Sequence, residues 1–149
     1  DELSGEFLEE LRQTVKRESD GEAIIIGEVW ENAVDKIAYG KRRKYFRGGQ
    51  LDSVMNYPLR TGIIDFITTG NKDGLFSASA GLYLRYPKDV SDCLMNFLGT
   101  HDTERILTLL GDETCGEGLT NAEKSVKRLS TSERARAERL RFHSPCRGP

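Results

Sequence analysis

The stretch AIIIGEVWEN, residues 23–32, decides how the rest of the chain is interpreted. Its three consecutive isoleucines form a continuous apolar run, which is typical of a strand buried on both faces in a parallel sheet. The run ends at Gly27, and a carboxylate, Glu28, and an indole, Trp30, follow closely. Because active sites in parallel α/β folds lie at the carboxyl ends of the strands, Glu28 is a candidate catalytic acid and Trp30 a candidate wall of its site.

Helical and strand patterns alternate along the chain on both sides of this stretch. Apolar residues at helical spacing predict helices, and short continuous apolar runs predict strands. The predicted elements are a helix at residues 6–17, a strand at 23–29, a short helix at 33–37, a strand at 50–55, a helix at 59–68, a helix at 71–92 broken near Pro87, a strand at 93–99, and helices at 103–110 and 123–141. Their order favours a parallel α/β sheet with right-handed crossovers.

Single residues predict where some of these elements begin. Ser4 can cap the first helix, and Pro58 can end the second strand and start the helix after it. Residues 31–50, which include the basic run KRRK at 41–44, are interpreted as an insertion or loop with one short helix. Residues 111–121 are predicted to form a second loop.

Composition limits the classes of protein to consider. The chain of 149 residues, 37% hydrophobic and 31% charged, is long enough for one domain with a core and has an ordinary soluble composition. Its net charge of −2 gives no overall attraction to nucleic acid or anionic lipid. No apolar run approaches the roughly 20 residues that span a bilayer. We therefore expect neither a nucleic-acid partner nor a membrane partner.

The cysteines and the first residues indicate the setting of the chain. Cys93, Cys115 and Cys146 show no CxxC spacing, so neither a disulfide framework nor a zinc site is predicted. A reducing, cytoplasmic location is the expectation that follows. The chain opens on DELSGEF without an initiator Met or a signal-peptide core. We therefore expect Asp1 to be a cut end and not the biological start of the protein.

Polar residues follow each of the three predicted strands. They are Glu28 and Trp30, then Asn56 and Tyr57, then His101 and Asp102. Because the carboxyl ends of parallel strands meet at one edge, these side chains are expected to share a rim. Two carboxylates with a histidine, an amide and aromatic rings suit a site that binds a polyol and moves protons, as glycoside hydrolysis requires.

Each of these residues also has an ordinary structural interpretation. Glu28 can be a solvated loop residue, and Asp102 can cap the helix at residues 103–110. Asn56 and Tyr57 before a proline can be a turn. His101 is a single imidazole without partners at metal-binding spacing.

Two basic segments raise the alternative of nucleic-acid binding. The run KRRK at 41–44 has acidic stretches around it and few interleaved aromatic residues, which favours a solvated loop. Basic residues in the helix predicted at 123–141 alternate with Glu133 and Glu138, which favours a surface helix with internal ion pairs.

Three motifs, in this order and at these separations, resemble a known family. GEVW at 27–30, QLDSVMNYPLR at 50–60 and NFLGTHDTER at 96–105 are similar to the α-amylase family of glycoside hydrolases, family 13. Within it they resemble the subgroup of cyclomaltodextrinases, neopullulanases and maltogenic amylases. The resemblance runs from Asp1 to about residue 110 and extends less closely to residue 140.

The resemblance implies a fold and a role for each rim residue. The fold would be a (β/α)8 TIM barrel, of which this chain would supply about strands five to seven with their flanking helices. Glu28 would be the general acid/base, and Asp102 would stabilise the transition state. His101 would bind the sugar at the cleavage site. We assign Trp30, Asn56 and Tyr57 to substrate binding as well.

Two parts of the family pattern are expected outside this chain. The nucleophilic aspartate of strand four, with an arginine two residues before it, would precede Asp1, and strands one to four would precede it too. We assign residues 1–142 to a partial catalytic barrel domain and 143–149 to an irregular tail that does not look like the family. The chain alone is therefore expected to be inactive, and poorly soluble or partly molten.

The resemblance also implies a substrate class and partners. The whole protein would be a retaining hydrolase of α-1,4 and also α-1,6 linkages in maltodextrin, cyclodextrin, pullulan or starch, with an α-glucan as its partner. The alternative is a non-catalytic carbohydrate-binding or structural remnant that needs a partner chain. No cofactor is predicted: many members use calcium, but no complete oxygen-ligand cluster is visible here. Full-length relatives often form homodimers.

Overall fold

The computed structural model describes residues 3–47, 49–111 and 130. Five helices and four short strands lie within them. They are α1 (Gly5–Glu18), β1 (Ile26–Gly27), β2 (Ile37–Ala38), β3 (Lys41–Arg42), β4 (Ser53–Val54), α2 (Tyr57–Thr69), α3 (Lys72–Arg85), α4 (Lys88–Asp92) and α5 (Ile106–Gly111). The result is a small mixed α/β unit, and the described residues contain no closed barrel.

Helix α1 confirms the helix predicted at residues 6–17. The Ser4 side chain caps it as expected, because its hydroxyl accepts a hydrogen bond of 3.2 Å from the Phe7 N–H. Leu8 on this helix is buried in the core. The helix ends at Glu18, and Ser19 caps it by donating its N–H to the Val15 carbonyl before the chain turns into β1.

A parallel strand pair, β1 with β4, places the rim residues. Ile26 is in register with Ser53 and Gly27 with Val54. These strands lie inside the segments predicted at 23–29 and 50–55. The segment predicted at 93–99 contributes a single parallel bridge, between Met55 and Met95, so β4 lies between β1 and this third segment.

The core lies between this strand pair and the helices. It is built from residues of α1, of the loops after β1 and β3, of β4 and its approach, and of α3 and α4: Leu8, Val29, Ala33, Tyr45, Leu51, Val54, Leu82, Tyr86 and Val90. Ile24 and Ile26 are exposed, so the expectation that the first strand is buried on both faces is wrong for this structure. One face of β1 has no covering layer among the described residues, and an apolar run alone does not show what packs on it.

Residues 33–42 correct the prediction of a short helix at 33–37. They form turns and then an antiparallel hairpin, in which Ala38 pairs with Lys41. Its two-residue loop, Tyr39 and Gly40, has positive φ angles of 53° and 73°, as a type I′ turn requires. A glycine adopts this geometry readily, and the hairpin therefore outcompetes the weak helical pattern before it.

Helix α2 confirms the helix predicted at residues 59–68 and begins two residues earlier. Asn56 caps it, and Pro58 stands in its first turn. The predicted break near Pro87 is also confirmed, since α3 ends at Arg85 and α4 begins at Lys88.

Helix α5 begins at Ile106, three residues after the predicted start of the helix at 103–110. Residues 100–103 instead form a hydrogen-bonded turn, in which the Thr103 hydroxyl accepts from the Thr100 N–H at 2.8 Å. This competing side-chain bond explains the later start.

Several predictions fall beyond the described residues. These are nearly all of the loop at 111–121, almost all of the helix at 123–141, the tail at 143–149 with the domain boundary before it, and Cys115 and Cys146. Among the helices of the described part, none is long and apolar enough to cross a membrane.

Candidate active site

Glu28 and Tyr57 meet at the carboxyl edge of the strand pair. Glu28 directly follows β1, and Tyr57 begins α2 three residues after β4. Because Gly27 and Val54 are in register, the residues after the two strands leave the sheet on the same side. The Tyr57 hydroxyl donates a short hydrogen bond to the Glu28 carboxylate. One oxygen of the candidate acid is thereby held in a defined position.

Two aromatic rings pack against the ring of Tyr57. Trp30 stacks on Tyr57 with ring centroids 4.2 Å apart and planes 17° from parallel. Phe97 approaches Tyr57 edge-on from the third segment, at 4.8 Å and 80°. Tyr57 is buried, whereas Trp30 is 52% exposed and keeps an open surface for a ligand. An exposed indole on a fixed ring is suited to packing against a sugar.

The environment of Tyr57 keeps its hydroxyl protonated, so that it can donate a hydrogen bond. Burial, followed by the hydrogen bond to Glu28, raises the pKa of the Tyr57 hydroxyl above its ordinary value. An interaction with Thr100 acts in the opposite direction and is outweighed, while the charge of Asp102 adds a further upward contribution. The neutral phenol therefore persists throughout the neutral pH range.

Asn56 directly precedes Tyr57, and its side chain makes hydrogen bonds within the protein. Its side-chain oxygen accepts from the Leu59 N–H at 3.2 Å, and its amide donates to the Asn96 side chain at 2.8 Å. It is 2% exposed. Asn56 thus joins the start of α2 to the third segment, and its assignment to substrate binding stays a prediction.

His101 and Asp102 lie on the turn between Thr100 and Thr103. The Asp102 carboxylate is 3.2 Å from His101 Nε2, and the His101 side chain is 87% exposed. The prediction that Asp102 caps the following helix is wrong, because α5 begins four residues later. The carboxylate is thus not engaged at a helix start.

An open cleft of about 380 Å³ is lined by both Asp102 and Trp30. Its walls also include Arg60 and Asp65 of α2 and Glu104. Glu28 and His101 are not among its lining residues; Glu28 is linked to it through Tyr57 and the stacked Trp30. The structure therefore brings Glu28, Tyr57 and Trp30 into one cluster, with Asp102 across an adjoining cleft.

Two residues of this region were missed in the sequence. Phe97 makes a T-shaped contact with the ring of Tyr57. Arg60 donates a hydrogen bond from Nε to the Leu98 carbonyl at 3.1 Å. Burial lowers the pKa of Arg60 from its ordinary value. Arg60 lies one helical turn after Asn56, so its position on the rim side of α2 was a usable signal. Nothing in the sequence pattern indicated the contact between Phe97 and Tyr57.

The described residues contain no group of three or more His, Cys, Asp or Glu side chains that could hold a metal ion. The geometry that they do show is a carboxylate on a phenol, a stacked indole and a second carboxylate near a histidine. Such a set can donate and accept protons beside a stacked polyol.

Comparison with known proteins shows the family to which the chain belongs. The family model described as alpha amylase, catalytic domain matches residues 3–133. The chain belongs to the α-amylase family. This membership confirms the resemblance predicted from the three motifs, and it implies a catalytic domain built as a (β/α)8 barrel.

Characterised relatives of the α-amylase family align with most of this chain. It is 35% identical over 113 residues to a cyclomaltodextrinase of Thermoanaerobacter pseudethanolicus, covering 72% of this chain and 17% of the relative. It is 33% identical over 115 residues to a maltogenic alpha-amylase of Bacillus acidopullulyticus, covering 75% and 18%. It is 34% identical over 112 residues to neopullulanase 2 of Thermoactinomyces vulgaris, covering 74% and 17%. The alignments thus cover less than a fifth of these relatives.

Proposed function

We propose that the protein containing this chain is a retaining hydrolase of α-glucans with Glu28 as its general acid/base. The observation that carries the proposal is the contact of the Glu28 carboxylate with the hydroxyl of Tyr57, whose ring stacks on the half-exposed Trp30. The names of the relatives, which are cyclomaltodextrinase, maltogenic alpha-amylase and neopullulanase, support α-glucans as the substrate class.

The mechanism we propose is a double displacement. In the first step Glu28 gives its proton to the leaving glycosidic oxygen as the C1–O bond breaks, and a carboxylate nucleophile forms a bond to C1. In the second step Glu28 takes a proton from water, whose oxygen replaces that carboxylate at C1. We expect the nucleophile from the family's fourth strand, which would precede Asp1. Both steps need the Glu28 oxygen at a fixed distance from the bond, and Tyr57 supplies that restraint.

Asp102 and His101 take supporting roles in this proposal. A carboxylate opposite Trp30 can stabilise positive charge that develops at the sugar ring, and His101 can hydrogen-bond a sugar hydroxyl beside it. Asp102 lines the cleft, and its distance of 3.2 Å from His101 Nε2 lets it orient the imidazole. Trp30 packs on the sugar face. We propose α-1,4 linkages as substrates, together with α-1,6 linkages.

The test uses the full-length protein and an activated maltoside. Glu28→Gln should lower kcat at least about a thousandfold, since it removes the proton donor while keeping the hydrogen-bond acceptor for Tyr57. Glu31→Gln is the matched control, because Glu31 is exposed and pairs with Lys36. The 149-residue chain alone should show no hydrolysis. Hydrolysis by this chain that Glu28→Gln abolishes would refute the assignment of the nucleophile to another segment.

A second candidate, a non-catalytic carbohydrate-binding remnant that needs a partner chain, is favoured by one observation. Trp30 presents an exposed ring to a cleft without Glu28 in its walls, which is sufficient for sugar binding. Binding of maltooligosaccharide that Trp30→Ala abolishes, with a full-length protein that never hydrolyses it, would support this candidate over the hydrolase.

A further inference from the structure

A second cleft, which we call the basic cleft, lies away from the candidate active site. It has a volume of about 410 Å³ and lies between the segment that follows the hairpin and the end of α3. Five cationic side chains line it: Arg42, Arg43, Lys44, Arg47 and Arg85. No carboxylate is among its lining residues, and it shares none with the cleft beside Trp30.

The positive charge of the basic cleft is only partly neutralised. Asp35 pairs with Arg42 at 2.8 Å and with Arg85 at 3.5 Å. Lys44 and Arg47 are exposed and make no ion pair within the described part of the chain. Two fixed cations and two unpaired ones around one cavity attract an anion.

The wall of the basic cleft contains polar groups that lack partners. Tyr45 is 2% exposed, and its hydroxyl has no hydrogen-bond partner among the described residues. The Arg43 guanidinium lies 5.2 Å from the centre of the Tyr45 ring, and its buried Nε is likewise unsatisfied within that part of the chain. Buried donors without acceptors are rare and costly, and such groups often mark a site where a ligand completes the hydrogen bonds.

We propose that the basic cleft binds a phosphate group, either as free inorganic phosphate or as the monoester of a sugar. Guanidinium groups present paired N–H donors that match phosphate oxygens, and Lys44 adds a point charge. The Tyr45 and Arg43 donors gain acceptors when the anion enters. The cavity is of the size that encloses a small molecule, which favours a monoester over nucleic acid. The proposal does not depend on the hydrolase activity, because no residue is shared.

Isothermal titration of the purified full-length protein at low ionic strength tests the site. Inorganic phosphate and glucose 6-phosphate are the probes, with glucose as the uncharged control. Saturable binding of inorganic phosphate alone indicates the free ion, and tighter binding of glucose 6-phosphate indicates the monoester; both support the proposal. Absence of saturable binding by either probe overturns it, as does tighter binding of a short RNA than of both probes.

Two variants place the binding in this cleft. Lys44→Ala should weaken phosphate binding about tenfold, whereas Lys72→Ala, at the exposed start of α3, should leave it unchanged. Tyr45→Phe removes only the unpartnered hydroxyl, so it should weaken binding several-fold without lowering the thermal midpoint. Equal affinities in Lys44→Ala and Lys72→Ala, with no effect of Tyr45→Phe, would show a non-specific charge effect and overturn the proposal.

Discussion

Tyr57 joins the three rim segments through a single side chain. Its hydroxyl reaches Glu28 after β1, and its ring stacks on Trp30 and makes a T-shaped contact with Phe97 of the third segment. All three contacts are present together in the structure. The consequence is that Tyr57 can position the candidate acid in addition to binding substrate, and its assignment to substrate binding stays a prediction.

Tyr57→Phe separates this hydrogen bond from the packing. The variant keeps the ring stack with Trp30 and Phe97 but leaves the Glu28 carboxylate without its phenol donor. In the full-length protein we expect kcat to fall about tenfold with little change in KM, because substrate contacts are retained. Steady-state kinetics on an activated maltoside measure both constants.

Tyr83→Phe is the matched control, since Tyr83 is exposed on α3 and should be insensitive to loss of its hydroxyl. If Tyr57→Phe leaves kcat unchanged while thermal stability falls, Tyr57 has a packing role only.

The sequence predicted that Glu28 and Tyr57 share a rim, but not the contacts that each side chain makes there. Strand ends place Glu28 and Tyr57 at one edge, because parallel strands share a direction. The hydrogen bond between them depends on the exact register and on the rotation of α2, neither of which the chain pattern shows. For the same reason the sequence could not show that the Asn56 amide is used by Asn96 and by the start of α2.

At the scale of elements, Asp52 links α1 to the strand pair. Its carboxylate accepts from the Ile25 N–H at 2.8 Å and pairs with Arg12 at 2.7 Å and Lys16 at 3.1 Å. Burial acts to raise the pKa of Asp52, but these three donors outweigh it and hold the pKa below its ordinary value. The ionised form is therefore the one that stabilises the junction.

Asp52→Asn should loosen the start of β1. In the full-length protein we expect protection of the Ile25 amide from hydrogen exchange to fall about tenfold at neutral pH, because the charge-assisted acceptor is lost. Since the folded-state pKa is depressed, the contribution of Asp52 is complete above its unfolded pKa near ~4 and is lost as the pH falls through the folded value. The difference between the two proteins should shrink over that range.

Asp89→Asn, in the exposed first turn of α4, is the control for this measurement. Equal Ile25 protection in the native protein and in Asp52→Asn would show that the carboxylate does not hold the strand.

Two helical glycines make a matched pair for testing the contact between α2 and α3. A Cβ on Gly62 would lie 2.9 Å from the Ala78 Cβ, whereas one on Gly81 would meet no atom within 4 Å. We expect Gly62→Ala to destabilise by about 1–3 kcal/mol, because the helices must separate. Gly81→Ala should stabilise by about 0.5–1 kcal/mol through helix propensity. Thermal unfolding of both variants of the full-length protein measures the difference, and equal shifts would contradict the close packing.

Elements with strong local signals were predictable, and those that depend on competition were not. Ser4 and Pro87 end or begin helices through their own chemistry, so α1 and the break between α3 and α4 were found. The hairpin was missed because Tyr39 adopts a positive φ, which its residue type seldom does. The start of α5 was misplaced because the Thr103 hydroxyl bonds to the Thr100 N–H instead.

At the scale of the whole molecule, large apolar side chains remain exposed on several of the described elements, including β1 and α3. Ile24 and Ile26 are exposed at β1, and Phe76, Tyr83 and Leu84 are exposed on α3. The run at residues 23–29 is predicted to be buried on both faces, but an apolar pattern shows how apolar a face is and not what covers it. Among the described residues β1 pairs with β4 alone, so one strand edge is also open.

This uncovered surface leads to a prediction for the 149-residue chain on its own. An open edge with exposed isoleucines favours self-association and loose packing over a single ordered state. We expect the chain to bind 8-anilinonaphthalene-1-sulfonate, to give weak near-ultraviolet circular dichroism and to unfold over a broad temperature range. Replacing Phe76 and Leu84 by Gln should lower dye binding, whereas replacing the polar and exposed Lys72 by Gln should not. A sharp cooperative transition with strong near-ultraviolet circular dichroism from the dilute monomer would contradict this expectation. It would show that the core of the described residues is sufficient for an ordered fold.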